Sequence, residues 1–280
     1  MSIITIQRLS PTIGGEVVGL DIGQLLSDTS IAAALSEALE INGVLVFRGL
    51  DLDPESQVAF GRRLGDVDFE QGYHPVKGIS RITLDKDKRP TADYLRGTFV
   101  WHIDGCTPLG DEYPQKATIL SAQSVADSGG QTEFASTYVA YDELSEEDQQ
   151  RLAGLRVQHS FEASMRLVNS EPTSEQVATW RRRPTHVNPL VWTHRSGRRS
   201  LVIGSSADHI VGMDAEASRM LLDELLYHTT RPERVYRHHW SVGDTVIWDN
   251  RGVVHRALPY VDTSGRESLR TTVLGDEPMQ

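Results

Sequence analysis

The stretch VYRHHWSVGDTVIWDNRGVVHRA, residues 235–257, falls into three short runs rich in β-branched and aromatic residues, 235–240, 245–248 and 253–257, with glycine before the second and third. Runs of this length and composition, punctuated by turns, read as strands. A fourth follows at 269–274, and earlier ones stand at 44–47 and 117–122. Many short strands at regular spacing predict a mainly β barrel or jelly roll with flanking helices.

The helix signals fit around this framework. At 53–65 they are complete: Asp53 as N-cap, Pro54 at the first helical position, apolar Val58, Phe60 and Leu64, and Gly65 past the end. Ser30 is the expected cap of a helix in which Ile31, Leu35, Ala38 and Leu39 recur at helical spacing before Asn42-Gly43. Strands are expected at 3–6 and 17–22, on either side of Pro11 and Gly14-Gly15. Further helices are expected at 137–144, at 145–154 with Ser145 and Asp148 as a capping box, and from Asp214 through Leu226. A strand, turn and strand with Ser196-Gly197 at the tip spans 188–204. The chain is expected to form one domain, 1–280, with a helical insertion around 137–230. From 70 to 98 periodicity is lost, and a loop of that length in a compact domain is expected to serve as an active-site lid.

Charge narrows the partners. Against 28 Lys+Arg stand 39 Asp+Glu, a formal net charge of -11, the wrong sign for affinity built on phosphate neutralisation. Nucleic acid and anionic membrane surfaces are excluded as expected partners, while a local basic pocket for a small anion remains open. The single cysteine, Cys106, cannot form an internal disulfide. No signal-peptide pattern and no run of membrane-spanning length is present, so the expected location is the cytoplasm.

Residues 101–105, WHIDG, place His102 and Asp104 two apart. In an extended segment both point to one face; alone, the same pattern is what a polar alternation on a strand edge would give. A third donor, His255, stands in the run 253–257, which a barrel would bring alongside. Two histidines and one carboxylate on one face of an iron leave three positions open, the arrangement of non-haem Fe(II) oxygenases. A 2-oxo acid could fill two of them and dioxygen the third, provided that a cation anchors the acid's far carboxylate. Arg266 and Arg270, in GRESLRTTVLGD (265–276), share a face of a strand and can fork onto carboxylates. Thr132, in GGQT (129–132), can add a hydroxyl donor. Each arginine taken singly is equally compatible with a solvated edge or an ion pair.

WHIDG, GGQT, WDNRGVVHRA (248–257) and RESLRTTVLGD (266–276), in this order, resemble the Fe(II)- and 2-oxoglutarate-dependent dioxygenases typified by taurine dioxygenase and 2,4-dichlorophenoxyacetate dioxygenase. GVLVFRG (43–49), AFGRRLGDV (59–67) and PLVWTHRSGRRSLVIG (189–204) extend the resemblance over nearly the whole chain. It implies a double-stranded β-helix, a cupin-like jelly roll, with iron held by His102, Asp104 and His255. It further implies that Arg266 and Thr132 hold the distal carboxylate of 2-oxoglutarate with Trp248 beside it, that O2 is the oxidant, and that Arg270 is left for the substrate's anion. Gln131 departs from the family's more usual aspartate, which touches the turn's hydrogen bonding more than the role of Thr132.

Halogenases of similar architecture replace the metal carboxylate by a small residue; Asp104 is present, so the resemblance implies hydroxylation. Where the attacked carbon bears an ether, amine or sulfonate, the hydroxylated product collapses and that bond is cleaved. Residues 196–230 and VYRHHWSVGD look closer to the phenoxyacetate branch than to the taurine branch, which favours a small carboxylate of the (aryloxy)alkanoate type. A sulfonate or alkyl sulfate is the alternative, and a barrel that binds a small carboxylate without turnover is a further one. Tyr73, His74 and Ile103 are candidates to line the substrate pocket, and a homodimer or homotetramer is the expected assembly. The remaining conspicuous residues read as structural: Arg181-Arg182-Arg183 as a solvated helix end, at most one of His238 and His239 facing inward, His194 as a turn residue, and Cys106 as a packed or half-exposed thiol.

Overall fold

The computed structural model describes residues 4–69, 72–109 and 113–280. Ile3, in the expected first strand, and Glu70 and Gln71, at the start of the expected lid, lie outside the described residues. Seven strands make the larger sheet, in the order Thr5–Arg8, Gly15–Val18, Val44–Phe47, Thr245–Asp249, Ala117–Ser124, Glu267–Val273 and Ser80–Ile82. The pairing of Gly15–Val18 with Val44–Phe47 is parallel and the others among the described residues are antiparallel. The smaller sheet runs Tyr236–His238, Thr132–Ser136, Val253–Ala257.

Strand alternation sorts the side chains into two layers. Val44, Val46, Leu120, Val246 and Trp248 face the smaller sheet and pack on Phe134 and Val253. Leu45, Phe47, Ile119 and Ile247 face the other way, onto Leu35 and Leu39 of the helix Thr29–Asn42 and Phe60 and Leu64 of the helix Pro54–Leu64. Two sheets closed over one apolar layer, with helices on the outer face, form the cupin-like jelly roll. Each fully buried side chain of this kind stabilises the fold by roughly 1.5–3 kcal/mol, enough in sum for the sandwich to carry a polar cavity between its sheets.

Several elements differ from expectation for local reasons. Asp28, not Ser30, caps Thr29–Asn42: its carboxylate accepts from Ser30 N at 2.8 Å, and an anion there also gains from the helix dipole. The second strand ends at Val18, because Asp21 and Gln24 close a capping box that opens a helix over Ile22–Ser27. The segment from 137 to 230 is mixed: besides helices it holds a sheet of Ala207–Ile210, Arg156–His159 and His186–Pro189, and a hairpin of Val191–Thr193 with Arg199–Leu201. WHIDG is no regular strand. One antiparallel bridge joins His102 to His255, and the chain then turns at Gly105 (φ +83).

His194 stands at the expected turn, its carbonyl accepting from Gly197 N at 2.8 Å. It is buried, with Nε2 2.8 Å from the Ser200 hydroxyl and Nδ1 3.2 Å from Glu277, since the C-terminal residues fold back over it. His238 is buried 3.3 Å from the Asp244 carboxylate while His239 is exposed. Arg181 is exposed and pairs with Glu162, and the Cys106 thiol, buried, is pushed up to about 12. Among the described residues no helix is long and apolar enough to cross a membrane.

His159 gives a pH test of this packing. It is fully buried, with Nδ1 2.9 Å from the Ser206 hydroxyl, and burial, helped by nearby His186, pushes its imidazole down to about 4. Unfolded histidine titrates near pH ~6.5, so between these values the unfolded state binds the extra proton and stability falls as pH is lowered. Below the folded value the contribution is flat. His159→Gln is expected to make the stability-against-pH slope shallower across that window by up to one proton, read from urea midpoints. An identical slope in both proteins would mean that the buried ring takes up its proton in the folded state.

Candidate active site

One cavity, partly open to solvent, lies between the two sheets. His102, Asp104, Thr132, Trp248, His255, Arg266 and Arg270 all line it. The backbone explains the convergence: His255 sits on Val253–Ala257, Thr132 opens the strand beside it, Trp248 faces inward from the larger sheet, and Arg270 pairs across from Leu120 and Ser80.

The donor atoms of His102, Asp104 and His255 lie within 4.8 Å of one another. His102 Nδ1 is 2.8 Å from the Val100 carbonyl, which can only accept, so that nitrogen carries the proton and Nε2 is left to face Asp104. His102 Nε2 is 3.8 Å from Asp104 Oδ1, and His255 Nε2 is 3.7 Å from Asp104 Oδ2. These separations are too long for hydrogen bonds. Burial raises the Asp104 carboxyl, but His255, Arg270, His102 and the Thr118 hydrogen bond together outweigh it and hold the group at about 2. Burial, with His102 beside it, pushes His255 down to about 3. An ionised carboxylate and a neutral imidazole are the forms that bind a metal ion, so the donor set fits a divalent transition metal.

Sequence reasoning missed the groups that orient these donors. Asn250 Nδ2 donates to Thr118 Oγ1 at 2.9 Å, and Thr118 Oγ1 donates to Asp104 Oδ2 at 3.1 Å. Trp240 Nε1 donates to Thr132 Oγ1 at 3.0 Å, which leaves the threonine's own proton free to point at a ligand. Asn250 and Trp240 each lie just past the end of the strand paired with their partner's, far apart from it in the chain, and no local pattern announces the contacts.

Arg266 is buried and makes no ion pair among the described residues. Its guanidinium lies 4.8 Å from the centroid of Tyr260, whose hydroxyl accepts from Nη1 at 3.4 Å. On the other side is Gly130, where an added Cβ would come within 3.0 Å of Arg266 Cδ and Nε. The arginine therefore occupies a slot between a ring and a bare backbone. Arg270 reaches deeper, with Nη1 3.7 Å from Asp104 Oδ2.

The three pocket candidates stand apart. Ile103 points away from the cavity into the cluster with Trp101 and Ala135, as its position between His102 and Asp104 requires. Tyr73 is exposed, its hydroxyl accepting from Thr91 and its ring under the Arg89 guanidinium, and His74 Nδ1 accepts from Val76 N. None of the three lines the cavity. Ile82, Leu95 and Thr98 do so instead from the 72–99 region, and Tyr260 from the loop before Arg266.

A family model described as "Taurine catabolism dioxygenase TauD, TfdA family" matches residues 5–272. The alpha-ketoglutarate-dependent 2,4-dichlorophenoxyacetate dioxygenase of Burkholderia sp. (strain RASC) is 36% identical over 287 residues, covering 97% of this chain and 95% of the relative. The alpha-ketoglutarate-dependent sulfate ester dioxygenase of Pseudomonas putida is 31% identical, covering 99% and 91%. The crystal structure of AAD-2 in complex with Mn(II) and N-oxalylglycine superposes with a TM-score of 0.83 at 32% identity, covering 99% of both chains.

The Arg266 slot makes a direct prediction. At Gly130 φ is +75, so Gly130→Ala is strained, and its Cβ also presses on Cδ and Nε of Arg266. Loss of charge-assisted hydrogen bonds costs about 1.5–3 kcal/mol, and the affinity for 2-oxoglutarate is expected to fall roughly tenfold or more, measured by calorimetry with circular dichroism as the fold control. Unchanged affinity would show that the Gly130 side of the slot does not control the guanidinium.

Proposed function

The chain belongs to the taurine catabolism dioxygenase TauD, TfdA family, and from that premise we propose the roles of its residues as a 2-oxoglutarate-dependent dioxygenase. His102, Asp104 and His255 hold Fe(II). Arg266 and the Thr132 hydroxyl bind the distal carboxylate of 2-oxoglutarate, with Trp248 as the wall beside it, and Arg270 meets the anion of the substrate. When bound, the iron supplies a site for the 2-oxo acid and for O2, so that decarboxylation to succinate and CO2 is coupled to substrate hydroxylation. Carrying this reading is one observation: a buried arginine with no acidic partner among the described residues opens on the same cavity as a His-Asp-His cluster.

The chain's own groups do the positioning. Thr118, fixed by Asn250, holds Asp104 Oδ2, the oxygen that faces His255, and so orients the carboxylate with Oδ1 toward His102. Ile82, Leu95 and Leu120 give the rest of the cavity an apolar wall, which supports a substrate with an apolar body ending in one anion. Among the described residues Asp104 is the one carboxylate that lines the cavity, and these residues offer taurine's ammonium no partner of its own. An (aryloxy)alkanoate fits better, in keeping with the activity named for the relative that is 36% identical. Hydroxylation at the carbon bearing the ether oxygen would give an unstable product that releases the phenol. A sulfate ester, the substrate class named for the relative at 31%, is the second reading, and a buried lone cysteine suits a reducing cytoplasm.

The test is succinate release by anaerobically Fe(II)-loaded protein exposed to air with aryloxy acids, alkyl sulfates and taurine, of which the aryloxy acids are expected to stimulate most. His255→Ala is expected to abolish turnover, and Thr118→Val to weaken Fe(II) binding by about tenfold or more, as loss of a supporting hydrogen bond does elsewhere. Arg270→Ala is expected to keep slow, uncoupled 2-oxoglutarate decay while product formation falls. Equal loss of both would move Arg270 to the co-substrate.

A further inference from the structure

One short element covers the substrate side of the cavity. Ala92–Phe99 is a 3-10 helix of eight residues, about twice the usual run for that geometry, and its Leu95 and Thr98 face the cavity. Tyr94 anchors it at one side, edge-on to Phe161 with centroids 5.8 Å apart. Asp93 pairs with Lys86 at 2.8 Å, and two further contacts go to one loop. Arg96 Nη2 donates to both carboxylate oxygens of Asp262 at 2.8 and 2.7 Å, and Phe99 packs edge-on against Tyr260 with centroids 5.7 Å apart.

That loop runs directly into Arg266. Tyr260 lines the cavity and bears the Arg266 guanidinium on its ring, so one side chain touches both the cation assigned to the co-substrate and the cap over the substrate. We propose that Tyr260 is a positioning residue that couples the seating of 2-oxoglutarate at Arg266 to closure of the 92–99 cap, with Arg96 and Asp262 as its latch. The inference rests on the role given to Arg266 above.

The physics favours this order of events. Before the co-substrate binds, a ring face and one long hydrogen bond hold the guanidinium, contacts weaker than a fork onto a carboxylate. Once the carboxylate fixes the guanidinium, the Tyr260 ring is fixed too, and with it the seat of Phe99. The latch side chains are 42% and 47% exposed, and pairs of that kind contribute little. A weak latch lets the cap open for the substrate and close again; a buried pair would hold it shut.

Hydrogen exchange of the full-length protein, Fe(II)-loaded under argon, with and without saturating 2-oxoglutarate, reads the coupling without turnover. Slower amide exchange across 92–99 is expected on adding 2-oxoglutarate to the wild type and to Tyr260→Phe, which keeps the ring. Tyr260→Leu is expected to lose that protection. Phe99→Ala, which leaves Arg266 untouched, is expected to lose it with 2-oxoglutarate affinity unchanged, and it carries the test should the leucine variant fold poorly. Arg96→Gln or Asp262→Asn is expected to raise the KM for substrate about two- to fivefold with the KM for 2-oxoglutarate unmoved, and Arg96→Asp combined with Asp262→Arg to restore it. Binding of 2-oxoglutarate with no change in exchange at 92–99 in the wild type would overturn the coupling alone. Failure of 2-oxoglutarate to bind would remove the role of Arg266 and the coupling with it.

Discussion

Two backbone hydrogen bonds hold the centre of this molecule together: His102 N donates to the His255 carbonyl at 3.0 Å, and His255 N donates to the His102 carbonyl at 2.9 Å. Residues that exchange both bonds in an antiparallel pair have their Cα atoms about 5.5 Å apart and their side chains on one face. The two imidazoles are therefore side by side, with ring centroids 4.1 Å apart, in the protein alone. WHIDG is braced from behind as well. Ser205 N donates to the Trp101 carbonyl at 2.8 Å, and Gly204 comes so close that a Cβ would sit 3.0 Å from that oxygen. The segment from 137 to 230 thus contributes to the donor cluster without supplying any of its donors.

Charge sorting separates this cavity from the rest of the chain. Elsewhere, several arginines meet carboxylates: Arg251 pairs with Asp249, Arg234 with Glu143, and Arg237 and Arg256 share Glu133. Those pairs need no ligand. A buried cation without an acid is costly unless something neutralises it, and Arg266 is in that position beside a cavity that also holds Arg270. In a chain of net charge -11, two guanidiniums in a low-dielectric cleft concentrate positive potential at one place and favour small anions there.

Legibility in the sequence followed the range of the interaction. The jelly roll was readable because alternating apolar runs at 44–47, 245–248 and 253–257 are local patterns with one stable arrangement, two sheets over a common layer. The helix over 53–65 was readable because all its signals are contiguous, whereas the cap of Thr29–Asn42 turned on a choice between neighbours, Asp28 and Ser30, that both can cap. His102, Asp104, His255, Arg266 and Arg270 could be picked out because two periodicities and one ordered set of motifs point to them, and the fold brings them to one cavity. Tyr73 and His74 could not be placed, since the 72–98 segment has no period from which to argue direction. Ile103 could have been excluded at once: the alternation that turns His102 and Asp104 inward turns it outward.

What no sequence pattern carries is the direction of a hydrogen bond. Thr118 and Thr132 each have a hydroxyl that can give or accept, and in each the ambiguity is removed by a nitrogen donor just past the end of the paired strand, Asn250 for the first and Trp240 for the second. Because each oxygen already accepts, its proton is committed outward, toward Asp104 in one case and toward the cavity in the other. Two neutral residues thereby set the polarity of a site whose charges are supplied by others. The pattern also explains why Gln131 is tolerable beside Thr132: the threonine's orientation is enforced by Trp240, just past the end of the neighbouring strand, and does not depend on the residue that precedes it in the turn.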